Sequence, residues 1–459
     1  MVKGNFLRRR AATWIAAMMV WMCAAPVAQA GTVHEKVLDN GLKVLVMPDR
    51  RAPVVTSQLW FRAGSMDEPA GATGIAHMFE HMMFKGTETM APGEFSERVA
   101  RLGGRDNAFT SRDFTAYYQT VAADHLSDVM AWEADRLMNL ALDEQEFLRE
   151  RDVVKEEWRT RFRDNPDSRL YAMLQATAFV SSGYHHPVIG WEGDIDNYTL
   201  EDLKKWRAAH YAPNNAILVV VGDVDPEATF RLAEEHYGPV PARELPAAKP
   251  RQEITQQGTR SVDLKLPARL PRLMMGYKVP SLASVDAQEA WVPDALAVLA
   301  GVLSGGDSAR FAEDLVRPGR LAAASASYDP TARAQTLLTI SAVPNDGQSL
   351  EEVEQLLRAQ LARLGEEPVT AEELERIKTQ VIASDVYGRD SMFYQGMRLG
   401  IYETAGIGHE EAADYVERIE AVTAEQLQTV ARRYFNDQGL TIARLHPQTE
   451  DMPKGGSDA

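Results

Sequence analysis

The chain of 459 residues contains a single cysteine, Cys23. An internal disulfide and a cysteine-built zinc knot are thereby excluded, so any metal must be held by His, Asp or Glu. Positive charge is also scarce: 49 Lys and Arg stand against 66 Asp and Glu, for a formal net charge of −17. Such a surface repels phosphate backbones and anionic lipid, which argues against nucleic acid as a partner. Long apolar runs are missing except from Ala11 to about Val27, a stretch interrupted by Thr13 and Pro26 and short for a bilayer-spanning helix. What is present is ordinary globular composition, 45% hydrophobic and 25% charged, at a length that calls for two or more domains.

The apolar run explains itself by its flanks. Lys3, Arg8, Arg9 and Arg10 precede it and Ala28-Gln29-Ala30 follows it, the pattern of a signal peptide over residues 1–30 with a small-residue cleavage site. Export to a periplasmic or extracellular location follows, with no stable membrane span after cleavage. Cys23 comes after Val20, Trp21 and Met22, a poor lipoprotein signature. The mature chain then has no cysteine, which suits an oxidising compartment.

Beyond residue 30, strand-like runs alternate with amphipathic helical stretches, an α+β pattern of layered sheets and helices. Leu42 to Met47, Val54 to Phe61 and Asn215 to Val221 read as strands, the last stopped by Gly222. A charged stretch from Gly238 to Glu253 carries Pro239, Pro241, Pro246 and Pro250 and reads as a linker. The parts on either side resemble each other. Thr199 to Leu203 leads through a helix to His210-Tyr211 and a strand; Thr423 to Leu427 leads at the same spacing to Tyr434-Phe435 and the strand from Leu440. Leu142 to Phe147 matches Val369 to Leu374 at nearly that offset, which implies a duplicated domain. The expected organisation is a first domain over 31–240, a linker over 241–253, a homologous second domain over 254–450 and a flexible tail over 451–459.

Chemistry concentrates between Gly74 and Gly86, which contain HMFEH, an HxxEH pattern. On a helix, His77 and His81 are four apart, so both imidazoles leave one face and can bind one zinc ion, while Ile75, Met78, Phe79, Met82 and Met83 form the buried face. Glu80 sits beside them, able to take a proton from metal-activated water and later deliver it to a leaving amine. A catalytic zinc needs a third protein ligand and one open position. Glu150 and Glu157, seven apart on a helical stretch with Val153 and Val154 between them facing inward, supply one ligand and one carboxylate to orient a ligand; Glu146 and Glu156 compete on composition alone.

The segment GIAHMFEHMMFKGT, followed later by ERDVVKEEW, resembles the pitrilysin or insulinase family of inverted-motif zinc peptidases, in its branch of short chains similar to mitochondrial processing peptidase. The resemblance covers essentially the whole mature chain. It implies two homologous domains, each a mainly antiparallel sheet packed with helices, forming half of a clamshell. It implies one Zn2+ per chain held by His77, His81 and Glu157, with Glu80 as catalytic base and Glu150 as the supporting carboxylate in catalysis. A third matching segment, Gly103 to Tyr118, reads as an edge strand. In the family such an edge pairs with extended substrate, which makes Asn107, Ala108 and Phe109 the substrate-binding candidates.

The pattern breaks in the second half. No HxxEH occurs there, and the repeat sets Ser384 opposite Glu157. Family members with a complete site in one polypeptide tend to carry an Arg and, seven residues later, a Tyr that bind substrate; this chain has Arg317 but Ala324, and Tyr328 is out of register. Arg317 is thus a substrate-binding candidate without its companion. The implied partner is a homologous subunit lacking HxxEH but keeping the Arg/Tyr pair, in a heterodimer, or otherwise a second copy in a homodimer. His185-His186 reads as loop structure, because adjacent residues rarely converge on one ion. The resulting expectation is an exported zinc endopeptidase that hydrolyses short or unfolded peptides by attack of zinc-bound water; the alternative is a non-catalytic assembly or peptide-binding subunit that keeps the fold.

Overall fold

Uninterrupted apolar runs become central strands because both of their faces are covered. Val54–Phe61 (β3) and Ala216–Gly222 (β6) are buried almost throughout and lie side by side in the first sheet. The computed structural model describes residues 31–247, 249 and 251–448; the signal segment and the tail expected from the sequence lie outside them. His34–Val37 (β1), Lys43–Pro48 (β2), Arg105–Thr110 (β4) and Thr115–Ala122 (β5) complete a sheet ordered β1-β2-β6-β3-β5-β4. Only β2 and β6 pair in parallel; the other neighbours are antiparallel.

The second sheet contains Arg260–Pro267 (β7), Arg272–Val279 (β8), Ala323–Ser327 (β9), Thr336–Val343 (β10) and Leu440–Gln448 (β11), in the order β7-β11-β8-β10-β9. Its one parallel pair is β7 with β11. With β1 set aside, order and direction match the first sheet strand for strand. The helices Leu200–His210 and Ala424–Tyr434, from the repeated segments, both open with a capping box, Thr199 with Asp202 and Thr423 with Gln426. The fold is therefore α+β with two similar halves, each a mainly antiparallel sheet packed with helices.

Two expectations need correction. The segment Gly103 to Tyr118 is a hairpin and not a single strand. Ser111 stops β4, its hydroxyl accepting hydrogen bonds from the backbone N–H groups of Asp113 and Phe114, and β5 returns beside it, leaving β4 at the sheet edge. Val153 does not face inward: it is 50% exposed while Val154 is fully buried, since neighbouring helical positions point about 100° apart.

The halves exchange helices. Helix Pro166–Ala178, from the first, packs on β7, β8 and β11, and its Leu170, Leu174 and Ala178 share a core with Met274, Ala443 and Leu445. Helix Met392–Thr404, from the second, packs on β3 and β6. There Gly400 allows close approach, since a Cβ at that position would lie 2.1 Å from the Trp60 indole. The connecting stretch is tied down as well: Glu253 accepts hydrogen bonds from the backbone N–H groups of Val180, Ser181 and Ser182 and from Lys278 Nζ at 2.8–3.0 Å.

Candidate active site

The HxxEH segment forms the helix Ile75–Met82, whose Ile75, Met78, Phe79 and Met82 are buried in the core of the first half. Its start is built for one position. Gly74 adopts φ +88° and a Cβ there would meet the Ile189 carbonyl oxygen at 2.3 Å, so both conformation and space demand glycine. The buried carboxylate of Glu68 accepts the otherwise orphaned N–H groups of Gly74 and Ala76 at 2.8 and 2.9 Å. The second contributor, helix Glu144–Trp158, is capped by Asp143, whose side chain accepts from the N–H groups of Gln145 and Glu146.

These two helices pack together and bring three donor atoms to one point. The Nε2 atoms of His77 and His81 lie 3.3 Å apart, and the Glu157 carboxylate stands 3.8 Å from the first and 3.5 Å from the second. Donors roughly 2.0–2.1 Å from a tetrahedral zinc stand about 3.3–3.4 Å from each other, so the observed triangle fits that ion with little movement. Glu150 Oε1 lies 2.8 Å from His81 Nδ1, which presents Nε2 as the free lone pair; its other oxygen is paired with Lys85. Glu80 accepts a hydrogen bond from the Thr110 hydroxyl at 2.6 Å. The competing carboxylates face elsewhere, Glu146 toward Arg149 and Glu156 toward Arg159.

Electrostatics suit a cation. Burial, helped by its neighbour His81, depresses His77 to about 4. Burial also disfavours charge on His81, but the hydrogen bonds it donates to the Glu150 and Glu157 carboxylates outweigh it and lift the imidazole to about 9. His81 hydrogen bonding holds Glu157 below the usual carboxylate range against the cost of burial. A proton on His81 thus supplies positive charge that a divalent ion would supply instead. Burial raises Glu80 despite the Thr110 bond, which strengthens it as a proton acceptor.

The donor triangle opens on a cleft of about 420 Å³ whose walls include Glu80, Ala108, Phe109, Arg112 and Tyr171. Residues 43–191 match the family model described as insulinase, peptidase family M16, and residues 197–381 match the one described as peptidase M16 inactive domain. The zinc protease PqqE of Helicobacter pylori is 32% identical over 421 residues, covering 90% of this chain and 93% of that one. The chain belongs to the insulinase family, peptidase family M16. A solved protease from Helicobacter pylori superposes with a TM-score of 0.86 at 30% identity, covering 91% of this chain and all of that one. The periplasmic protease PqqL of Escherichia coli shares the fold with a TM-score of 0.76 at 21% identity, over 91% of this chain but 48% of PqqL.

Within this M16 chain, the structure brings together His77, Glu80, His81, Glu150 and Glu157, with Ala108 and Phe109 on the cleft wall. Asn107 is exposed on β4, its side-chain oxygen accepting from the N–H of Ala108 at 2.9 Å. Arg317 is not brought to this cleft: its guanidinium is 63% exposed and donates to the Asp307 carbonyl, 2.9 Å away. Ala324 sits in β9 and the Tyr328 hydroxyl donates to the Pro280 carbonyl, so neither supplies the missing contact. Sequence reasoning missed Thr110, one residue past the substrate-binding candidates, and the partners Lys85 of Glu150 and Arg161 of Glu157. It also missed His186, which is buried, lines the cleft and leaves Nε2 without a partner among the described residues.

Proposed function

We propose that this chain is an exported zinc-dependent endopeptidase acting on short or unfolded peptides. The observation that carries the reading is the convergence of His77, His81 and Glu157 with Glu80 beside them at the base of an open cleft. Zinc, when bound, polarises the scissile carbonyl and acidifies water. Glu80, with its proton affinity raised by burial, removes the proton from the attacking water and returns it to the departing amine, while Thr110 fixes the carboxylate's orientation. Glu150 positions His81. The edge of β4 offers backbone groups to an extended peptide next to Ala108 and Phe109, and chain flexibility in the substrate is required for that pairing.

The absence of a second polar contact at Ala324 favours a partner subunit that carries an Arg/Tyr pair, because losing one transition-state donor costs about 3–4 kcal/mol. The periplasmic location of PqqL, of which this chain covers 48%, supports export here. No helix among the described residues is long and apolar enough to cross a membrane. The deciding experiment measures zinc stoichiometry and peptide hydrolysis on the purified mature chain, alone and mixed with a homologue lacking HxxEH. One zinc per chain with hydrolysis appearing in the mixture supports both parts; full hydrolysis by the chain alone removes the partner; no zinc in either preparation removes the enzyme.

A further inference from the structure

Arg112 lies in the turn between β4 and β5, two residues beyond the Thr110 that holds Glu80. It lines the zinc-ligand cleft, and together with Tyr171 it also lines a second cleft of about 320 Å³ bordered by Asp113, Tyr184, Tyr328 and Asp329. Its guanidinium carbon is 5.3 Å from the centre of the Tyr171 ring and 5.9 Å from that of Tyr184. Such stacking fixes the plane of the group without neutralising its charge.

The carboxylates around it are already engaged. Glu157 pairs with Arg161 at 2.6 Å and Glu80 accepts from Thr110 at 2.6 Å. Asp113 accepts from the Tyr184 hydroxyl at 2.6 Å and the Arg333 N–H at 3.3 Å, and Asp329 accepts from the N–H and hydroxyl of Thr331. Arg112 is the arginine left over, and its buried Nε has no hydrogen-bond partner among the described residues. A half-buried guanidinium held in plane, aimed at a cleft and lacking a counter-charge is matched by a carboxylate that arrives from outside.

We propose that Arg112 is a specificity-determining residue that receives a carboxylate of the bound peptide, either an acidic side chain or the terminal carboxylate. This rests on the peptidase reading above. Because Arg112 lines the same cleft as His77 and Glu80, the carboxylate belongs close to the scissile bond, and three positions on either side of it are tested. The test uses the full mature chain carrying Glu80→Gln, so that binding is read without turnover. Fluorescence anisotropy compares peptides bearing Glu, Gln or Lys at each of the three positions on either side of the scissile bond, and peptides ending there with a free or amidated terminus.

At one position the Glu peptide, or the free terminus, should bind about tenfold tighter than its neutral counterpart, the size of a charge-assisted hydrogen-bond pair. Adding Arg112→Gln should remove that preference and Arg112→Glu should turn it toward Lys. Thermal melts of each variant report folding, with Arg112→Lys as the charge-keeping control. A Glu preference that survives Arg112→Gln, or a uniform loss of affinity for Glu, Gln and Lys peptides alike, overturns the inference. Hydrolysis of the same peptides by the chain with Glu80 intact separates the two readings. Turnover without any Arg112-dependent preference sinks only the carboxylate site, whereas an Arg112-dependent binding preference with no turnover even after a homologue lacking HxxEH is added sinks only the peptidase.

Discussion

Helices Ile75–Met82 and Val292–Ser304 follow corresponding strands, β3 and β8, yet they do opposite work. The first buries one face and sets His77 and Glu80 on the wall of a cleft, with His81 beside His77. The second buries Val292, Ala295, Leu296, Val298, Leu299, Val302 and Leu303, and its one buried acid, Asp294, is bonded by Arg418. The same contrast separates helix Glu144–Trp158, which delivers Glu157, from helix Ala371–Gly388, where the exposed Ser384 occupies the matching position. A duplicated scaffold thus keeps its backbone while one copy spends its polar face on chemistry and the other fills the space with hydrocarbon.

That contrast can be broken in order of effect. His77→Ala should strip most bound metal and reduce hydrolysis to background, whereas Val298→Ala in the second half should lower the unfolding temperature and leave metal content intact; elemental analysis and melting curves separate the two. Glu80→Gln should keep full zinc while lowering kcat by about 10²–10⁴-fold, as expected for loss of a general base; unchanged kcat would take Glu80 out of that role. Glu150→Gln should weaken zinc binding by about 10–100-fold through the loss of His81 orientation, measured by competition with a chelator.

A smaller change sharpens the exchange of helices between the halves. Gly400→Ala forces a methyl into the Trp60 indole and should cost about 1–3 kcal/mol in a denaturant melt, with zinc content unaffected if the halves couple through packing alone. Smallest of all, Ser384→Glu should leave the stoichiometry at one zinc per chain, because no histidine pair faces that position; two zinc ions by elemental analysis would show that the second half retains a latent site.

Legibility in the sequence followed the range of each interaction. The HxxEH spacing is a property of one helix turn, so His77, Glu80 and His81 could be read together. The capping boxes at Thr199 and Thr423 are equally local and gave away the duplication. Choosing Glu157 over Glu150, Glu146 and Glu156 was beyond local pattern and came from family resemblance. The hairpin at Ser111 was hidden because a hydroxyl that accepts two backbone N–H groups ends a strand without any Gly or Pro signal. His186 looked like loop because nothing along the chain announces which loop folds over a cleft formed by residues a hundred positions away.

The order of residues determined the periodic features: which segments alternate, where helices begin, how many histidines share a face, and how scarce cysteine and positive charge are. Tertiary structure alone decided which carboxylate meets the histidines, which arginine is left without a counter-charge, and that each half lends a helix to the other's sheet. Hydrogen bonding within a turn acts over a few residues and is encoded there. Packing and charge pairing act through space, and two residues become neighbours only after burial of the apolar faces has settled how the helices and sheets lie against one another.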